Sequence, residues 1–272
     1  DMSVDRLLKI IEEIAGGKYS NDIMELTRED QPETIRAVAE AVGLMMVKIE
    51  AREYHLEMMI QELGNLNQTI RNNTIHVVSA MAHALAARDT YTEGHTARVA
   101  DLAKRMAEYM GFDADQTEYV RLAGILHDIG KIGFSDALFE PHDTKNPSEM
   151  VKEIISHPTT GAAILRDLDF LGPAIEYVYC HHERPDGKGY PRNLKDEEIP
   201  LGAKILAVAD SLDAMTTDRP YQKGKSRQTA LEILRKNAGT KWDSQCVSAM
   251  EAILGESERE SLQEGKPMPN PL

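Results

Sequence analysis

The chain has 272 residues, 42% of them hydrophobic and 28% charged, which suits one large globular domain or two smaller ones. No window approaches the ~18 apolar residues of a membrane span, and no basic stretch leads into an apolar core as in a signal peptide. The formal net charge of −14 argues against non-specific binding to DNA or to an anionic membrane. Two cysteines, Cys180 and Cys246, are too few for a disulfide scaffold and favour the reducing cytoplasm.

Apolar residues recur at helical spacing along nearly the whole chain, and alternating runs typical of strands are scarce, so we predict an all-α fold. A short amphipathic segment ends at Gly16-Gly17, and a loop of about 15 residues separates it from a long helix that begins near Glu33. The apolar positions of the short segment are Leu7, Leu8, Ile11 and Ile14.

The long helix carries a heptad pattern in which the steps alternate between three and four residues. Its core positions are Val42, Met45, Ile49, Arg52, Leu56, Met59, Leu63, Leu66, Ile70, Asn73, Val77, Ala80 and Ala84. Two polar members, Arg52 and Asn73, interrupt the pattern and can fix register and oligomeric state. We therefore predict a parallel homodimer through this coiled coil; the alternative is a single long helix that lies on its own domain.

The order of helix, glycine, connector and long helix over residues 1–55 resembles a HAMP signalling module. If so, a transmembrane helix and a sensor precede this chain in a longer protein, and the chain is the cytoplasmic part of a membrane-anchored sensor. The alternative is a helical linker that follows a cytosolic sensor domain.

Helix boundaries are marked at several later positions. Ser226 and Asp243 precede apolar-periodic runs and are predicted N-caps, while Gly111 is a predicted helix end. Gly172-Pro173 separates two predicted helices, and His157-Pro158 is a predicted boundary because proline disfavours helix in the residue before it.

Five of the nine histidines stand with aspartates in short groups that could bind metal. These groups are His95, His127-Asp128, His157, His181-His182 and Asp210. Imidazole and carboxylate suit iron, manganese, zinc or nickel. Adjacent residues on a helix point about 100° apart, so each pair is better placed to face two ions than one. Seven donors also exceed the three or four of a catalytic zinc site, so we predict two divalent ions. The other histidines (His55, His76, His83 and His142) are interpreted as ordinary surface or core residues.

A series of motifs runs from about residue 80 to 254. The segment 126–132 reads LHDIGKI, 181–191 reads HHERPDGKGYP and 88–95 reads RDTYTEGH. They are joined by His157-Pro158 with Gly161, by DSLDAMT at 210–216 and by DRPY at 218–221. This series resembles the HD-GYP family of the HD superfamily, which implies an all-helical hydrolase of cyclic di-GMP. We therefore expect a HAMP-like module at 1–55, a coiled-coil linker at 56–84, an HD-GYP domain at 85–255 and a polar tail at 256–272.

The resemblance also implies roles for particular residues. One metal would be held by His95, His127, Asp128 and Asp210, and the other by Asp128, His157, His181 and His182, with Asp128 bridging. A water or hydroxide between two cations has a lowered pKa and attacks phosphorus at neutral pH. We expect iron or manganese, with zinc or nickel as alternatives.

Further residues are candidates for substrate contacts. Lys131, placed one helical turn beyond His127, is expected to contact a phosphate or the leaving group, while Arg219 could bind a phosphate through its guanidinium. Arg184, Gly189 and Tyr190 lie in a loop expected to border the nucleotide pocket; Tyr190 could instead fill the core of a structural turn. Asp89 and Asp213 are expected to orient histidine or lysine side chains.

Three positions depart from the family pattern. Tyr91 stands where some members have a glutamate for a third metal, so two metals are expected; Gln222 replaces a common basic residue; and residues 133–146 are less basic than usual.

The leading hypothesis is cyclic di-GMP hydrolysis to linear pGpG, with further cleavage to GMP left open, regulated through the dimeric helical segment. The alternatives are a phosphodiesterase for another dinucleotide and a nucleotide-sensing or protein-docking module with little turnover.

Overall fold

The computed structural model describes residues 2–19, 21–88, 94–138, 148–218 and 223–264, and the regular elements of these residues are all helical. The all-α prediction is confirmed. The α-helices are α1 (Met2–Ala15), α2 (Glu33–Arg88), α3 (His95–Tyr109), α4 (Ala114–Leu126), α5 (Ser148–Leu165), α6 (Ala174–Cys180), α7 (Leu201–Thr216), α8 (Arg227–Lys236) and α9 (Ser244–Glu264). Short 3-10 helices cover Asn21–Thr27, Ile129–Gly133, Asp136–Leu138, Asp169–Leu171 and Asp196–Glu198. None of the helices in these ranges is both long and apolar enough to cross a membrane.

The chain divides into two compact units, Asp1–Asn73 and Thr74–Leu272. The predicted boundaries after residues 55, 84 and 255 stay predictions. In the first unit, α1 and the first 3-10 helix pack on the beginning of α2, and α2 begins at Glu33 as the sequence predicts. The buried side chains of this unit are Leu7, Ile10, Ile23, Leu26, Ile35, Ala39, Val42 and Met46.

The heptad positions of α2 beyond Val42 are largely exposed within the single chain. Met45, Leu56, Leu63 and Ile70 each keep more than half of their surface in solvent. An apolar stripe of this length on one helix suits a partner helix, since burying apolar side chains is favourable by about 25 cal/mol per Å². The coiled-coil dimer stays a prediction.

The core of the second unit is built around α7, whose apolar side chains are buried among α3, α4, α6, α8 and α9. Two glycines let backbones approach closely. A Cβ on Gly124 would lie 2.7 Å from the Ala100 Cα, so α3 and α4 pack almost backbone to backbone. A Cβ on Gly130 would lie 1.9 Å from the His157 carbonyl oxygen, so the 3-10 turn after α4 presses directly on α5. These two close contacts hold α3 against α4, and the turn after α4 against α5. Each of these segments contains or adjoins candidate metal-binding residues.

The predicted N-caps at Ser226 and Asp243 and the predicted helix end at Gly111 are confirmed. The Ser226 hydroxyl accepts from the Thr229 amide at 3.1 Å, and the Asp243 carboxylate accepts from the Cys246 amide at 2.9 Å. Asp243 also pairs with Lys204 at 3.2 Å. Although burial opposes its charge, these partners hold the pKa of Asp243 below its usual value. Gly111 follows α3 with a positive φ of 83°, the conformation that favours glycine at a helix end.

The prediction of a helix boundary at His157-Pro158 is wrong, because α5 runs through it from Ser148 to Leu165. Proline lacks the N–H that would bond to the carbonyl of Ile154, four residues earlier. The Nδ1 atom of His157 lies 2.6 Å from that same carbonyl oxygen and takes its place as donor. A side chain therefore satisfies the acceptor that the proline leaves free, and the helix continues.

Candidate metal centre

Five histidine rings from four helices and the residues that follow them meet at one place in the second unit. Ring centroids lie 5.5 Å apart for His95 and His127, 5.3 Å for His127 and His181, and 5.3 Å for His157 and His181. The His182 ring lies 4.0 Å from His181 and 5.0 Å from His157. The structure thus brings together all five histidines singled out from the sequence.

The pairs His127-Asp128 and His181-His182 stand at helix C-termini, which corrects the expectation that they lie within helices. α4 ends at Leu126 and α6 ends at Cys180. A C-terminal turn leaves carbonyl groups without intrahelical partners, and a histidine side chain can donate to them. His127 Nδ1 lies 2.9 Å from the Gly124 oxygen, and His181 Nδ1 lies 2.7 Å from the Val178 oxygen.

These contacts fix which ring nitrogen carries the proton. A carbonyl oxygen only accepts, so Nδ1 of His127, His157 and His181 must be the donor and Nε2 keeps its lone pair. A neutral imidazole with a free Nε2 is a common metal ligand in proteins. The three rings are therefore oriented with their free nitrogens toward the centre of the cluster.

His95 is oriented by a buried carboxylate. Its Nδ1 lies 2.6 Å from Asp213 Oδ2, and Asp213 is fully buried. Arg98 donates to the other oxygen of Asp213 at 2.5 Å through Nε and to the Thr217 hydroxyl at 3.0 Å. Asp213 was predicted to orient a histidine or a lysine side chain, and in the structure it contacts His95. Arg98 was not among the residues predicted from the sequence; its signal was its position three residues after His95, one turn along α3.

The carboxylate of Asp128 lies between two groups of rings. Its Oδ2 is 3.4 Å from His127 Nε2, and its Oδ1 is 3.6 Å from His157 Nε2. Asp210 belongs to the first group, with Oδ1 at 3.4 Å from His95 Nε2 and 4.0 Å from His127 Nε2. One carboxylate oxygen of Asp128 therefore faces each group, as a bridging ligand would.

Three Nε2 atoms of the cluster, those of His127, His157 and His181, have no hydrogen-bond donor beside them and suit a cation. His127 Nε2 is buried and has no hydrogen-bond partner among the described residues. The Nε2 atoms of His157 and His181 lie 3.4 Å apart, although both carry lone pairs and neither can donate. Such groups are rarely left unpaired in a protein interior. Two sets of residues could each hold a metal ion, namely His95/His127/Asp128 and His157/His181/His182. Within each set, the donor atoms all lie within 4.8 Å of one another.

The electrostatics of the cluster agree with this fit. Burial lowers the pKa of His157 and of His181, and it lowers the pKa of His182 to about 4, so these rings are neutral at neutral pH. For Asp128 and Asp210 burial opposes the charge, yet the Lys131 ammonium beside Asp128 and the hydrogen bond from His95 to Asp210 hold the pKa of each carboxyl below its usual range. Neutral imidazoles and charged carboxylates are the protonation states that bind divalent metals.

His95 differs from the other rings. Burial works against its imidazolium, but hydrogen bonds to Asp210 and Asp213 outweigh burial and raise the pKa of His95 to about 9. A proton therefore occupies Nε2 in the metal-free protein. A metal ion that binds here has to displace that proton, so its binding releases acid.

Lys131 does not continue the helix of His127, which corrects the expected helical placement. α4 ends before it, and Lys131 stands on the 3-10 turn Ile129–Gly133. Its ammonium lies 2.5 Å from Asp128 Oδ2. The Lys131 ammonium is thus paired with the Asp128 oxygen that also faces His127 Nε2.

Tyr190 packs directly on the cluster. Its ring centroid lies 4.8 Å from that of His182 at an interplanar angle of 33°. Burial and the carboxylates of Asp210 and Asp128 raise the pKa of the Tyr190 hydroxyl, so the phenol stays protonated. Tyr190 therefore borders the centre and does not plug a distant core.

A buried carboxylate holds the loop that carries Tyr190. Glu183 is 3% exposed and accepts from the backbone amides of Arg192 at 2.6 Å and Leu194 at 2.9 Å. The loop also crosses its own beginning, because a Cβ on Gly189 would lie 2.5 Å from the Glu183 Cα. Glycine is therefore required at 189 by backbone packing. The sequence analysis assigned no role to Glu183, although it directly follows His182.

The remaining predicted contacts are placed elsewhere or lie outside the described ranges. Arg184 pairs with Asp186 at 3.0 and 2.5 Å on the same loop. Asp89 and Arg219 lie outside the described residues, as do Tyr91 and Gln222 and most of the segment 133–146.

Comparison with known proteins places these features in a family context. An HD domain family model matches residues 79–246. A cyclic di-GMP phosphodiesterase of Thermotoga maritima is 40% identical over 165 residues, which cover 60% of this chain and 44% of the relative. The 3′3′-cGAMP-specific phosphodiesterase 3 of Vibrio cholerae is 33% identical over 179 residues, covering 65% and 38%. The chain thus spans less than half the length of these two relatives.

The fold is also shared with a solved structure. A crystal structure of a cyclic GMP-AMP-specific phosphodiesterase from V. cholerae matches with a TM-score of 0.56 and 17% identity, over 69% of this chain and 50% of the other. At this identity the likeness concerns the fold alone.

Proposed function

Since this chain belongs to the HD-domain family, with the family model covering residues 79–246, we propose that it hydrolyses a phosphodiester bond of a cyclic dinucleotide by means of two bound divalent metal ions. The observation that carries the proposal is the convergence of five imidazoles with the carboxylates of Asp128 and Asp210 on one centre, where His127 Nε2 is buried without a hydrogen-bond partner among the described residues. Leaving an imidazole nitrogen such as His127 Nε2 buried without a partner costs stability, and a bound cation would satisfy it.

The ligands divide into two sets that share Asp128. His95, His127 and Asp210 would hold one ion with Asp128, and His157, His181 and His182 would hold the other with Asp128. Support for the division comes from the two Asp128 oxygens, at 3.4 Å from His127 Nε2 and 3.6 Å from His157 Nε2. Nitrogen and oxygen donors without thiolate suit iron or manganese, with zinc or nickel as alternatives.

Two divalent ions held by these residues would lower the pKa of a water that serves as the nucleophile and would neutralise charge on the phosphoryl oxygens. The chain's own residues hold the centre and the substrate. The carbonyls of Gly124, Ile154 and Val178 keep His127, His157 and His181 in the tautomer that leaves Nε2 free. Asp213 holds the His95 ring with its Nε2 toward Asp210. Lys131, whose ammonium lies beside Asp128, would contact a phosphate oxygen or the leaving group. Tyr190, beside His182, would line the path of the nucleotide.

The substrate is proposed as cyclic di-GMP, cleaved to linear pGpG, with further cleavage to GMP left to the product assay. The relative from T. maritima is named for cyclic di-GMP and the relative from V. cholerae for 3′3′-cGAMP, so both cyclic dinucleotides belong in the assay. The resemblance of the GYP-containing loop to that of cyclic di-GMP hydrolases favours the first.

Regulation is proposed to act through a homodimer formed by α2, downstream of a sensor. The exposed apolar heptad positions of α2 support the dimer, and a change of register or rotation between the two helices would be the signal. The cytoplasm is proposed as the location, supported by the two free cysteines Cys180 and Cys246.

The test is hydrolysis by the full chain loaded with manganese or iron, with products separated by chromatography. We expect linear product from cyclic di-GMP and at least a ~100-fold loss in His181→Ala, since removing a ligand exceeds the effect of removing its support. His55→Ala, an exposed histidine of α2, is the matched control and should retain activity. Binding without linear product would contradict hydrolysis and favour a sensor, and turnover of 3′3′-cGAMP alone would contradict the substrate.

A further inference from the structure

Four of the five clustered histidines are oriented through Nδ1. The Nδ1 atoms of His127, His157 and His181 donate to backbone carbonyl oxygens at 2.9, 2.6 and 2.7 Å. The Nδ1 atom of His95 lies 2.6 Å from the Asp213 carboxylate. A hydrogen bond at one ring nitrogen fixes the direction in which the other nitrogen points. Backbone carbonyls and one buried carboxylate therefore set the orientation of these four rings.

His182 has a different kind of support. Neither of its ring nitrogens makes a hydrogen bond within the described part of the chain. Its ring instead contacts three other rings, with centroids at 4.0 Å for His181, 5.0 Å for His157 and 4.8 Å for Tyr190. Of these three neighbours, only Tyr190 belongs to neither of the candidate ligand sets. Tyr190 is therefore the contact that can orient His182 from outside the centre.

The backbone places Tyr190 directly opposite His182. The Tyr190 amide donates to the His182 carbonyl oxygen at 3.2 Å, and a Cβ on Gly189 would lie 2.6 Å from that same oxygen. Glu183, the residue after His182, accepts from two amides further along the loop. The loop is thus tied to the chain on both sides of Tyr190, and the phenol ring starts from a fixed position.

The contact between the two rings restricts the rotation of the imidazole. The torsion about the Cβ–Cγ bond of histidine is broad and roughly two-fold, so a ring without a hydrogen bond can present either nitrogen to the centre. The interplanar angle between His182 and Tyr190 is 33°, which makes the contact closer to face-on than to edge-on. Aromatic rings attract each other at this separation. A rotated His182 ring would lose that contact and collide with the phenol.

We infer that Tyr190 is a positioning residue of the metal centre: by packing on His182 it keeps this imidazole directed at the ion of the His157/His181/His182 set. The inference rests on the proposed function, because it needs that ion. The role requires the aromatic ring and not the hydroxyl group. A contact between Tyr190 and the nucleotide alone would leave metal binding unchanged.

The first experiment is a manganese titration of the full chain, with the bound ions located by anomalous diffraction. In Tyr190→Leu we expect the affinity for one of the two ions to fall at least ~10-fold, the loss associated with removing the support of a metal ligand. The anomalous peak near His157 and His181 should weaken, while the peak near His95 and His127 stays. Tyr190→Phe, which keeps the ring, should bind both ions as the wild type does.

The control is Tyr119→Leu, which removes another half-buried tyrosine, one whose ring lies beside Gly172, and it should also bind both ions. Wild-type affinity for both ions in Tyr190→Leu would overturn the inference. Equal loss of both ions would overturn it as well, because it indicates a general effect on the fold. Weakened binding in Tyr190→Phe would show that the hydroxyl matters and would also overturn the inference.

The second experiment needs neither metal nor catalysis. In a crystal structure of metal-free Tyr190→Leu we expect the His182 ring to turn away from its wild-type orientation. The rings of His157 and His181 should stay, because their Nδ1 atoms keep their carbonyl partners, and Tyr190→Phe should keep His182 in place. An unchanged His182 ring in Tyr190→Leu would overturn the inference. If the wild-type protein binds neither manganese nor iron at the cluster, the proposed function fails, while these structures still decide whether Tyr190 orients His182.

Discussion

Replacing Asp213 by asparagine tests how the protein holds His95 without altering any donor atom of the centre. The Asp213 carboxylate accepts from His95 Nδ1 at 2.6 Å and from Arg98 Nε at 2.5 Å, and it is fully buried. Asparagine has the same shape but one acceptor oxygen. The asparagine NH2 group must therefore face either His95 Nδ1–H or the Arg98 guanidinium, and both of these are themselves hydrogen-bond donors.

Two magnitudes follow from this geometry. Loss of the group that orients a metal-binding histidine costs 10–100-fold in metal affinity, or about 1.4–2.7 kcal/mol. Breaking a buried ion pair costs roughly 3–5 kcal/mol of folding stability. Arg98 keeps the Thr217 hydroxyl as a partner and its side chain is 20% exposed, so we expect the lower end, about 3 kcal/mol. At roughly 2–4 °C per kcal/mol, the Tm should fall by about 6–12 °C.

The assay is a manganese titration by calorimetry together with thermal unfolding of the metal-free protein. Asp167→Asn is the control, because that side chain is 87% exposed and pairs only with its neighbour Arg166 among the contacts described. Wild-type manganese affinity in Asp213→Asn would refute the proposal that Asp213 positions a ligand, even if the Tm falls. A lowered Tm alone would show a structural role.

Three further substitutions test the loop and a helix end. In Gly189→Ala the new Cβ overlaps the backbone at Glu183, so the rate of hydrolysis should fall at least 10-fold. The control is Gly64→Ala, whose Cβ meets nothing within 4 Å, and this variant should retain activity. Equal activities of the two variants would contradict the packing role of Gly189. Glu183→Gln should speed hydrogen exchange at the amides of residues 192 and 194 and destabilise the fold by about 2 kcal/mol, since one donor loses its acceptor; unchanged exchange would refute the clamp. Because the pKa of Asp243 is lowered on folding, its ionised form contributes stability above about pH 4 that is lost as the pH falls further. Asp243→Asn keeps the N-cap, but the free energy of unfolding measured in urea should then fall less steeply as the pH is lowered below about 4. A pH dependence equal to that of wild type would contradict the contribution of the ionised Asp243.

The sequence predicted the features that depend on local chemistry. The helix caps at Ser226 and Asp243 and the start of α2 follow from residue type and spacing. The metal-centre residues were found because imidazoles and carboxylates recur in short, ordered motifs. These features need no knowledge of the tertiary fold.

The features that depend on tertiary contact were missed. Proline at 158 was predicted to end a helix, because the sequence does not show that the His157 side chain replaces the missing backbone donor. The pairing of Arg98 with Asp213 joins residues 115 positions apart, a distance at which no local pattern operates. The clamp by Glu183 likewise depends on a loop that folds back over its own start.

The central claim is that two divalent ions share Asp128 within this cluster of histidines. Its most direct measurement is a crystal structure of the manganese-loaded full chain with anomalous data at the metal edge. We predict two peaks a few ångströms apart, one near His95, His127 and Asp210, the other near His157, His181 and His182, with the Asp128 carboxylate between them. A single ion, three fully occupied ions, or peaks away from these side chains would contradict it.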